Sequence, residues 1–303
     1  MKTRVITSVF ITVVLIAMLL LSNTIVYSVS LSILALIAVN EVLKVYELDK
    51  KYLIAIPSYL AALAMPTLSY VMTVILAKPA IDFIVALALT LFVLMIYQFV
   101  VAVFAKGKIE FASLSAGFVL VMYISACFSA LSVIRYVSEA GMFNLGMVFI
   151  GAWISDIFAY FTGRLFGKHK LIPEVSPKKT VEGSVGAIIF TTLLMLLYGW
   201  IVSLATDLTP NYLVLGLSAP VLSVVGQIGD LFASLVKRER GIKDYGKLLE
   251  ILISALFERE HYLGEALHVS VIGYRNGAMP PSDSSLDKIC GGNKRVHLRH
   301  IGM

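Results

Sequence analysis

The chain has 303 residues, of which 59% are hydrophobic and only 15% charged, with a mean hydropathy of +0.89. A soluble globular chain is roughly a quarter charged, so this composition excludes an ordinary water-soluble domain and points to a bilayer, where each spanning helix needs ~20 mostly apolar residues. The net charge of +6 falls in short loops between apolar runs, where it sets topology and meets anionic lipid or phosphate rather than nucleic acid. The two cysteines, Cys127 in an apolar run and Cys290 near the end, give no disulfide framework.

In chain order, Met1-Lys2-Thr3-Arg4 opens on an apolar run with no small-residue cleavage site behind it. This predicts an uncleaved first helix with a cytoplasmic N-terminus. Apolar runs follow at 5–21, 25–38, 53–65, 68–77, 81–104, 114–134, 145–162, 187–205 and 212–236. Backbone hydrogen bonds within hydrocarbon must close inside each segment, so these runs are helices. The expectation is an all-α polytopic integral membrane protein with about eight or nine transmembrane helices. Residues 1–137 read as N-terminal transmembrane helices whose charges (Glu41, Lys44, Lys50, Lys51, Lys78, Lys106, Lys108 among them) anchor helix ends. Residues 138–249 read as a catalytic transmembrane region with basic loops, and 250–303 as an atypical polar tail.

From Gly151 the character changes. Asp156 and Asp230 lie inside apolar runs, where an aspartate near the bilayer centre costs about 2.5–3.5 kcal/mol on insertion scales. Each precedes the basic end of its helix, Arg164 in one case and Lys237-Arg238 in the other. Two spans separate the loops 164–182 and 237–247, so both loops emerge on one side, while the intervening turn carries only Asp207. The basic side is cytoplasmic by the positive-inside rule. Two carboxylates and two lysine-rich loops therefore converge on one cytoplasm-facing site.

Asp230, Ser234 and Lys237 are spaced i, i+4 and i+7, one face of a helix, with Gly226 and Gly229 beside the carboxylate. A carboxylate, a hydroxyl and a cation on one stripe suit a hydrated magnesium with a phosphate beside it. A packing salt bridge fits the same spacing, and both readings stay open at this stage. The loop before the next run holds Ser176-Pro177-Lys178-Lys179-Thr180-Val181-Glu182-Gly183, whose Thr-x-Glu-Gly reads as a helix start. It lacks the order of glycines, lysine and hydroxyl of a phosphate-binding P-loop. His169 reads as a loop histidine rather than a ligand, since no second histidine lies at ligand spacing.

At these residues the chain resembles the phosphatidate cytidylyltransferase (CDP-diacylglycerol synthase) family. The matching pieces are Ser155-Asp156 with Tyr160 and Gly163-Arg164, the run from Ser176 to Gly183, and Gly229-Asp230-Leu231 through Ser234-x-x-Lys237-Arg238-x4-Lys243-Asp244. The resemblance implies transfer of a cytidylyl group from CTP to phosphatidic acid, forming CDP-diacylglycerol and pyrophosphate in phospholipid biosynthesis. It implies Mg2+ on Asp230, with a second cation left open. Asp156 would support that carboxylate, and Lys237, Arg238 and Lys243 would bind phosphates. Asp244 would act as a ligand or orient Lys243, and Ser234 would hydrogen-bond. Lys178 and Lys179 would hold the nucleotide or lipid phosphate, with Arg164 and Thr180 beside them. The implied partners are CTP, phosphatidic acid and membrane lipid, with no nucleic acid; a homodimer is open. The implied location is the cytoplasmic (inner) membrane, with the active site facing the cytoplasm. The competing readings are a membrane transporter, which inverted repeats would favour, and a CTP-dependent polyprenol kinase.

The pattern departs after Leu249. The family signature continues with Pro-Gly-His-Gly-Gly and then Asp-Arg-x-Asp, whereas this chain reads Glu250-Ile251-Leu252-Ile253-Ser254-Ala255-Leu256-Phe257. Counted without gaps, the second metal-binding aspartate falls on Phe257. Because the change is abrupt and lies inside a tightly specified motif, a fused segment or a shifted reading frame is favoured over a divergent natural C-terminus. The fold of the first 249 residues is expected to survive this, and the activity of the chain to depend on how far the missing half of the signature matters.

Overall fold

The computed structural model describes residues 16–242 and the short segment 272–274. Among the described residues, seven helices are long and apolar enough to cross a membrane. They are α1 (Ile25–Val45), α2 (Tyr52–Tyr70), α3 (Ala80–Phe104), α4 (Phe111–Tyr136), α5 (Gly141–Phe166), α6 (Val181–Ala205) and α7 (Tyr212–Glu239). Helical residues 16–20 precede α1, and most of the first apolar run lies outside the described residues.

Two of the predicted spans are one helix. The runs 53–65 and 68–77 break at Pro66, yet α2 continues through Pro57 and Pro66 and then through a π-helical turn at Val71–Ile75. A proline removes one backbone donor, and in a membrane helix local adjustment re-satisfies the groups it frees. The carbonyl that Pro66 deprives of a donor is that of Ala62; past it the Ser69 hydroxyl donates to the Pro66 carbonyl at 2.7 Å, and in the π turn Leu76 N–H reaches back to the Val71 carbonyl at 2.9 Å. The other helices overrun their apolar cores because their ends take polar residues, such as Asn40, Glu41 and Lys44 on α1.

The bundle is arranged around α4, 72% of whose most apolar window is buried, against 22% in α3 and α6. The α3 and α6 faces instead present Val85, Leu89, Val93, Ile189, Leu193 and Leu197 outward, as lipid-facing surface requires. Lipid gives no hydrophobic push between helices, so association depends on small residues and polar contacts. Ala35, Ala38 and Ala62 are fully buried in the core, and the Ser28 and Ser132 hydroxyls share a buried 2.7 Å hydrogen bond between α1 and α4.

The segment read as a basic loop between α5 and α6 is a β-hairpin. Strands β1 (Lys170–Ile172) and β2 (Ser176–Thr180) pair antiparallel with an irregular register, Lys170 opposite Thr180 and Ile172 opposite Ser176. A second pair joins β3 (Leu208–Pro210), between α6 and α7, to β4 (Ile272–Tyr274). Helix α6 starts where the Thr-x-Glu-Gly spacing placed it: the Thr180 hydroxyl caps it by accepting from Gly183 N–H at 3.1 Å.

At that level α5 and α6 touch backbone to backbone. A Cβ on Gly183 would meet the Ala159 carbonyl oxygen at 2.6 Å, and one on Gly163 would meet the Thr180 hydroxyl at 2.7 Å. Substituting Gly183→Ala should therefore push α5 and α6 apart and destabilise the chain by about 1–3 kcal/mol, as overpacking does. The check is the thermal midpoint in detergent, expected to fall by several degrees; an unchanged midpoint would show that the two helices do not meet there.

Candidate active site

The site begins on α7, whose polar stripe runs deeper than the sequence motif. Ser223, Gln227, Asp230, Ser234 and Lys237 follow one another at alternating steps of four and three residues, so they share a face. At the deep end, the buried Ser223 and Ser155 hydroxyls hydrogen-bond at 2.8 Å, tying α7 to α5 one residue before Asp156. Gln227 donates to Ser223 at 3.2 Å and to the Ser184 carbonyl on α6 at 3.4 Å. Three helices are thus joined by side-chain hydrogen bonds just below the two carboxylates.

At the next step Lys179, from the end of the hairpin, makes an ion pair with Asp230, Nζ to Oδ2 2.6 Å. It also donates to the Gln227 carbonyl at 3.4 Å. Asp230 retains 35% of its side-chain exposure and Lys179 23%, so the pair is neither sealed in the core nor free in water. Asp156, half-buried on α5, lies within electrostatic reach of both Asp230 and Lys179. The contacts of Asp230 and Gln227 with residues at the start of α6 put this carboxylate level with a helix end, not at mid-bilayer. Helix α7 is 28 residues long, about 42 Å at ~1.5 Å per residue, against ~30 Å of hydrocarbon. Its last turns therefore project beyond the apolar layer.

There Ser234, Lys237 and Arg238 line a cleft of about 450 Å³ with Gly241 and Ile242, closed on the other side by Val175 and Ser176 of the hairpin. The remaining sequence candidates stand elsewhere. Lys178 is exposed on β2 and does not line the cleft. Arg164 is exposed on α5, donating to the Tyr160 hydroxyl at 2.8 Å. The Thr180 hydroxyl is engaged as the cap of α6 and is buried. Lys243 and Asp244 lie outside the described residues, as does Phe257. His169 stays a loop histidine: it is exposed and its Nδ1 lies 2.7 Å from Glu182 Oε1. Glu182 also accepts from His169 N–H at 3.2 Å, which closes the base of the hairpin.

Sequence reasoning missed Gln227 and Ser223, and it read Glu182 as part of a helix start without its contact to His169. The first two were findable by extending the four-three spacing of Asp230, Ser234 and Lys237 upstream.

Among the described residues, no three histidine, cysteine, aspartate or glutamate side chains cluster into a self-sufficient metal cage. Asp156 and Asp230, within electrostatic reach of each other and of Lys179, do not line the cleft, but as a donor set they suit magnesium, which keeps several waters and takes one or two carboxylates plus phosphate oxygens. The arrangement can compensate a polyanion at a membrane surface, with α7 and the hairpin as the two walls.

Comparison with known proteins places the chain in a family. The model of the Cytidylyltransferase family matches residues 2–250. A phosphatidate cytidylyltransferase of Staphylococcus haemolyticus is 30% identical over 250 residues, 82% of this chain and 90% of the relative. One from Bacillus subtilis is 36% identical over 146 residues, 48% of this chain and 51% of the relative. One from Aquifex aeolicus is 39% identical over 115 residues, 37% of this chain and 40% of the relative. Neither the transporter nor the polyprenol kinase reading gains support from them. With a match over most of its length, this seven-span bundle belongs to the cytidylyltransferase family.

Proposed function

We infer that this chain transfers a cytidylyl group from CTP to phosphatidic acid, producing CDP-diacylglycerol and pyrophosphate. Family membership sets the reaction. The observation that carries the site is the Lys179–Asp230 pair at 2.6 Å, which joins the hairpin to the stripe of α7 beside a cation-lined cleft. In the reaction, a phosphate oxygen of phosphatidic acid attacks the α-phosphorus of CTP. A new P–O bond forms, the bond to the β-phosphate oxygen breaks, and pyrophosphate leaves with that electron pair. Little covalent chemistry is asked of the protein in such a displacement, so positioning and charge compensation dominate.

The residue roles follow from this demand. Lys237 and Arg238, in the cleft, hold the nucleotide phosphates, arginine by its planar fork and lysine as a point charge. Lys179, and Lys178 on the same strand, serve the attacking or leaving phosphate. Ser234 hydrogen-bonds a phosphate oxygen between them. Arg164 and Thr180 flank the pocket, and Lys243 and Asp244 continue it. Asp230 would hold Mg2+ with Asp156 in support; the ion supplies Lewis-acid stabilisation of the charge that builds on the phosphates. A second cation would require a further carboxylate, which the family signature places at the position of Phe257.

The membrane face is proposed from charge. Lys44, Lys50, Lys51, Lys106, Lys108, Arg164, Lys168, Lys170, Lys178, Lys179, Lys237 and Arg238 belong by helix parity to one side, with Lys78 and Arg135 on the other. The positive-inside rule puts the first set, and the cleft, in the cytoplasm, at the plasma membrane of a bacterial cell. A homodimer is proposed from the resemblance alone, to be read from the mass of the detergent-solubilised chain.

The full chain, reconstituted with phosphatidic acid, should form CDP-diacylglycerol from CTP with magnesium and lose that activity in EDTA. Asp230→Asn should lower kcat by about 10²-fold or more, the size of effect seen when one electrostatic stabiliser is removed. Full magnesium-dependent activity in that variant would overturn the role of Asp230. Product that appears only when residues 250–303 are exchanged for the Pro-Gly-His-Gly-Gly and Asp-Arg-x-Asp segment would assign turnover to the missing half of the signature. For orientation, a cysteine placed at Lys178 should react with a membrane-impermeant maleimide in inside-out vesicles and not in intact cells; the opposite pattern would reverse the topology.

A further inference from the structure

The two cations of the cleft, Lys237 and Arg238, sit in the last turn of α7, the part of a helix most prone to fray. Here that turn is closed. Gly241 stands just past the helix end at φ +66°, a conformation that costs glycine nothing. Its N–H donates to the Arg238 carbonyl at 3.2 Å, and Ile242 N–H donates to the Lys237 carbonyl at 3.0 Å. This paired closure satisfies the carbonyls of both phosphate-binding residues.

Arg240, at the cap between them, leaves the site altogether. Its Nη2 donates to the Ser113 hydroxyl at 3.1 Å on the first turn of α4. Its guanidinium lies 4.2 Å from the centre of the Tyr46 ring, at the end of α1. Tyr46 and Ser113 are 3% and 6% exposed, so the socket is desolvated and the cation–ring attraction is at the stronger end of its range. The socket is also held in shape. Ser113 donates to the Glu110 carboxylate at 2.5 Å, and a Cβ on Gly117 would strike the Leu48 side chain at 2.7 Å, which presses α4 against the turn after α1.

We propose that Arg240 is a positioning residue: by plugging the last turn of α7 into a socket of Tyr46 and Ser113, it fixes Lys237 and Arg238 against the hairpin wall of the cleft. It lies within the four unspecified positions between Arg238 and Lys243 of the motif, and it is not one of the residues that line the cleft. Only arginine suits the socket, because its planar fork stacks on a ring and donates sideways at once, which a lysine ammonium does not. The kinetic half of this proposal rests on the cytidylyl-transfer reading; the structural half does not.

The test combines kinetics with hydrogen exchange on the full chain in detergent. Arg240→Ala should raise KM for CTP about tenfold while KM for phosphatidic acid stays within about twofold, a split that general destabilisation would not produce. The amides of Gly241 and Ile242 should exchange about tenfold faster in the same variant, with the rest of α7 unchanged. Tyr46→Leu should reproduce both effects from the far side of the socket. Tyr46→Phe, which keeps the ring and loses the hydroxyl that hydrogen-bonds Arg240, should show a smaller effect than Tyr46→Leu, and Arg240→Lys should recover only part of the loss. Wild-type KM and exchange in Arg240→Ala and Tyr46→Leu would overturn the proposal, as would equal changes in both KM values. If the unaltered chain makes no CDP-diacylglycerol, the activity reading fails, and the exchange rates still decide whether Arg240 holds the turn.

Discussion

A carboxylate on a membrane helix has to be compensated, and that requirement organises the packing of α5, α6 and α7. Asp230 meets it with Lys179 at 2.6 Å. Lys179 belongs to a hairpin bounded by α5 and α6, so the pair sets the register of α7 against both. The Ser155–Ser223 and Gln227–Ser184 hydrogen bonds secure the same register from below. Leaving any of these buried polar groups unpaired would cost more than the bond itself gives. Partial exposure matters as much: the pair remains within reach of a charged substrate arriving from water.

The close approach of α5 and α6 at Gly163 and Gly183 is the packing counterpart of this electrostatic constraint. It brings the hairpin base to the membrane surface, where Glu182 and His169 close it. Helix α7 is longer than its neighbour requires and carries its cations out of the hydrocarbon. The site is thus a step between a helix that ends early and one that continues. A water-soluble nucleotide and a lipid headgroup could both reach such a step, because it lies at the boundary between their two solvents.

The family match ends at residue 250, where the sequence pattern also changes. Everything that the described residues contribute to the candidate site lies before that point: the Asp156–Asp230 neighbourhood, Lys179 of the hairpin, and the capped turn of α7. The chemistry asks for charge compensation around a pentavalent phosphorus more than for any single proton-transfer group. A scaffold that positions several cations on rigid elements is suited to it.

Much of this was legible in the sequence, for definite reasons. Apolar runs of spanning length fix helices, because unsatisfied backbone is intolerable in lipid. The spacing of Asp230, Ser234 and Lys237 fixes a shared face, because helical geometry is local. Thr180, Glu182 and Gly183 announce a helix start by cap chemistry that acts over three residues. Other features depend on elements meeting, and no local signal carries them. That Lys179 rather than another cation of the basic loops pairs with Asp230 is decided by how deep the hairpin sits between α5 and α6. That α2 runs on through Pro66 is decided by its packing, with Ala61, Ala62, Met65 and Pro66 all buried in the bundle. That Arg240 turns away from the cleft into Tyr46 and Ser113 is decided by the packing of the α7 end against α1 and α4. Apolar length and helical spacing are local, so they give the membrane-spanning character and the shared helix faces; where one span ends and the next begins, and which side chains pair and at what depth, are set by contacts between helices far apart along the chain.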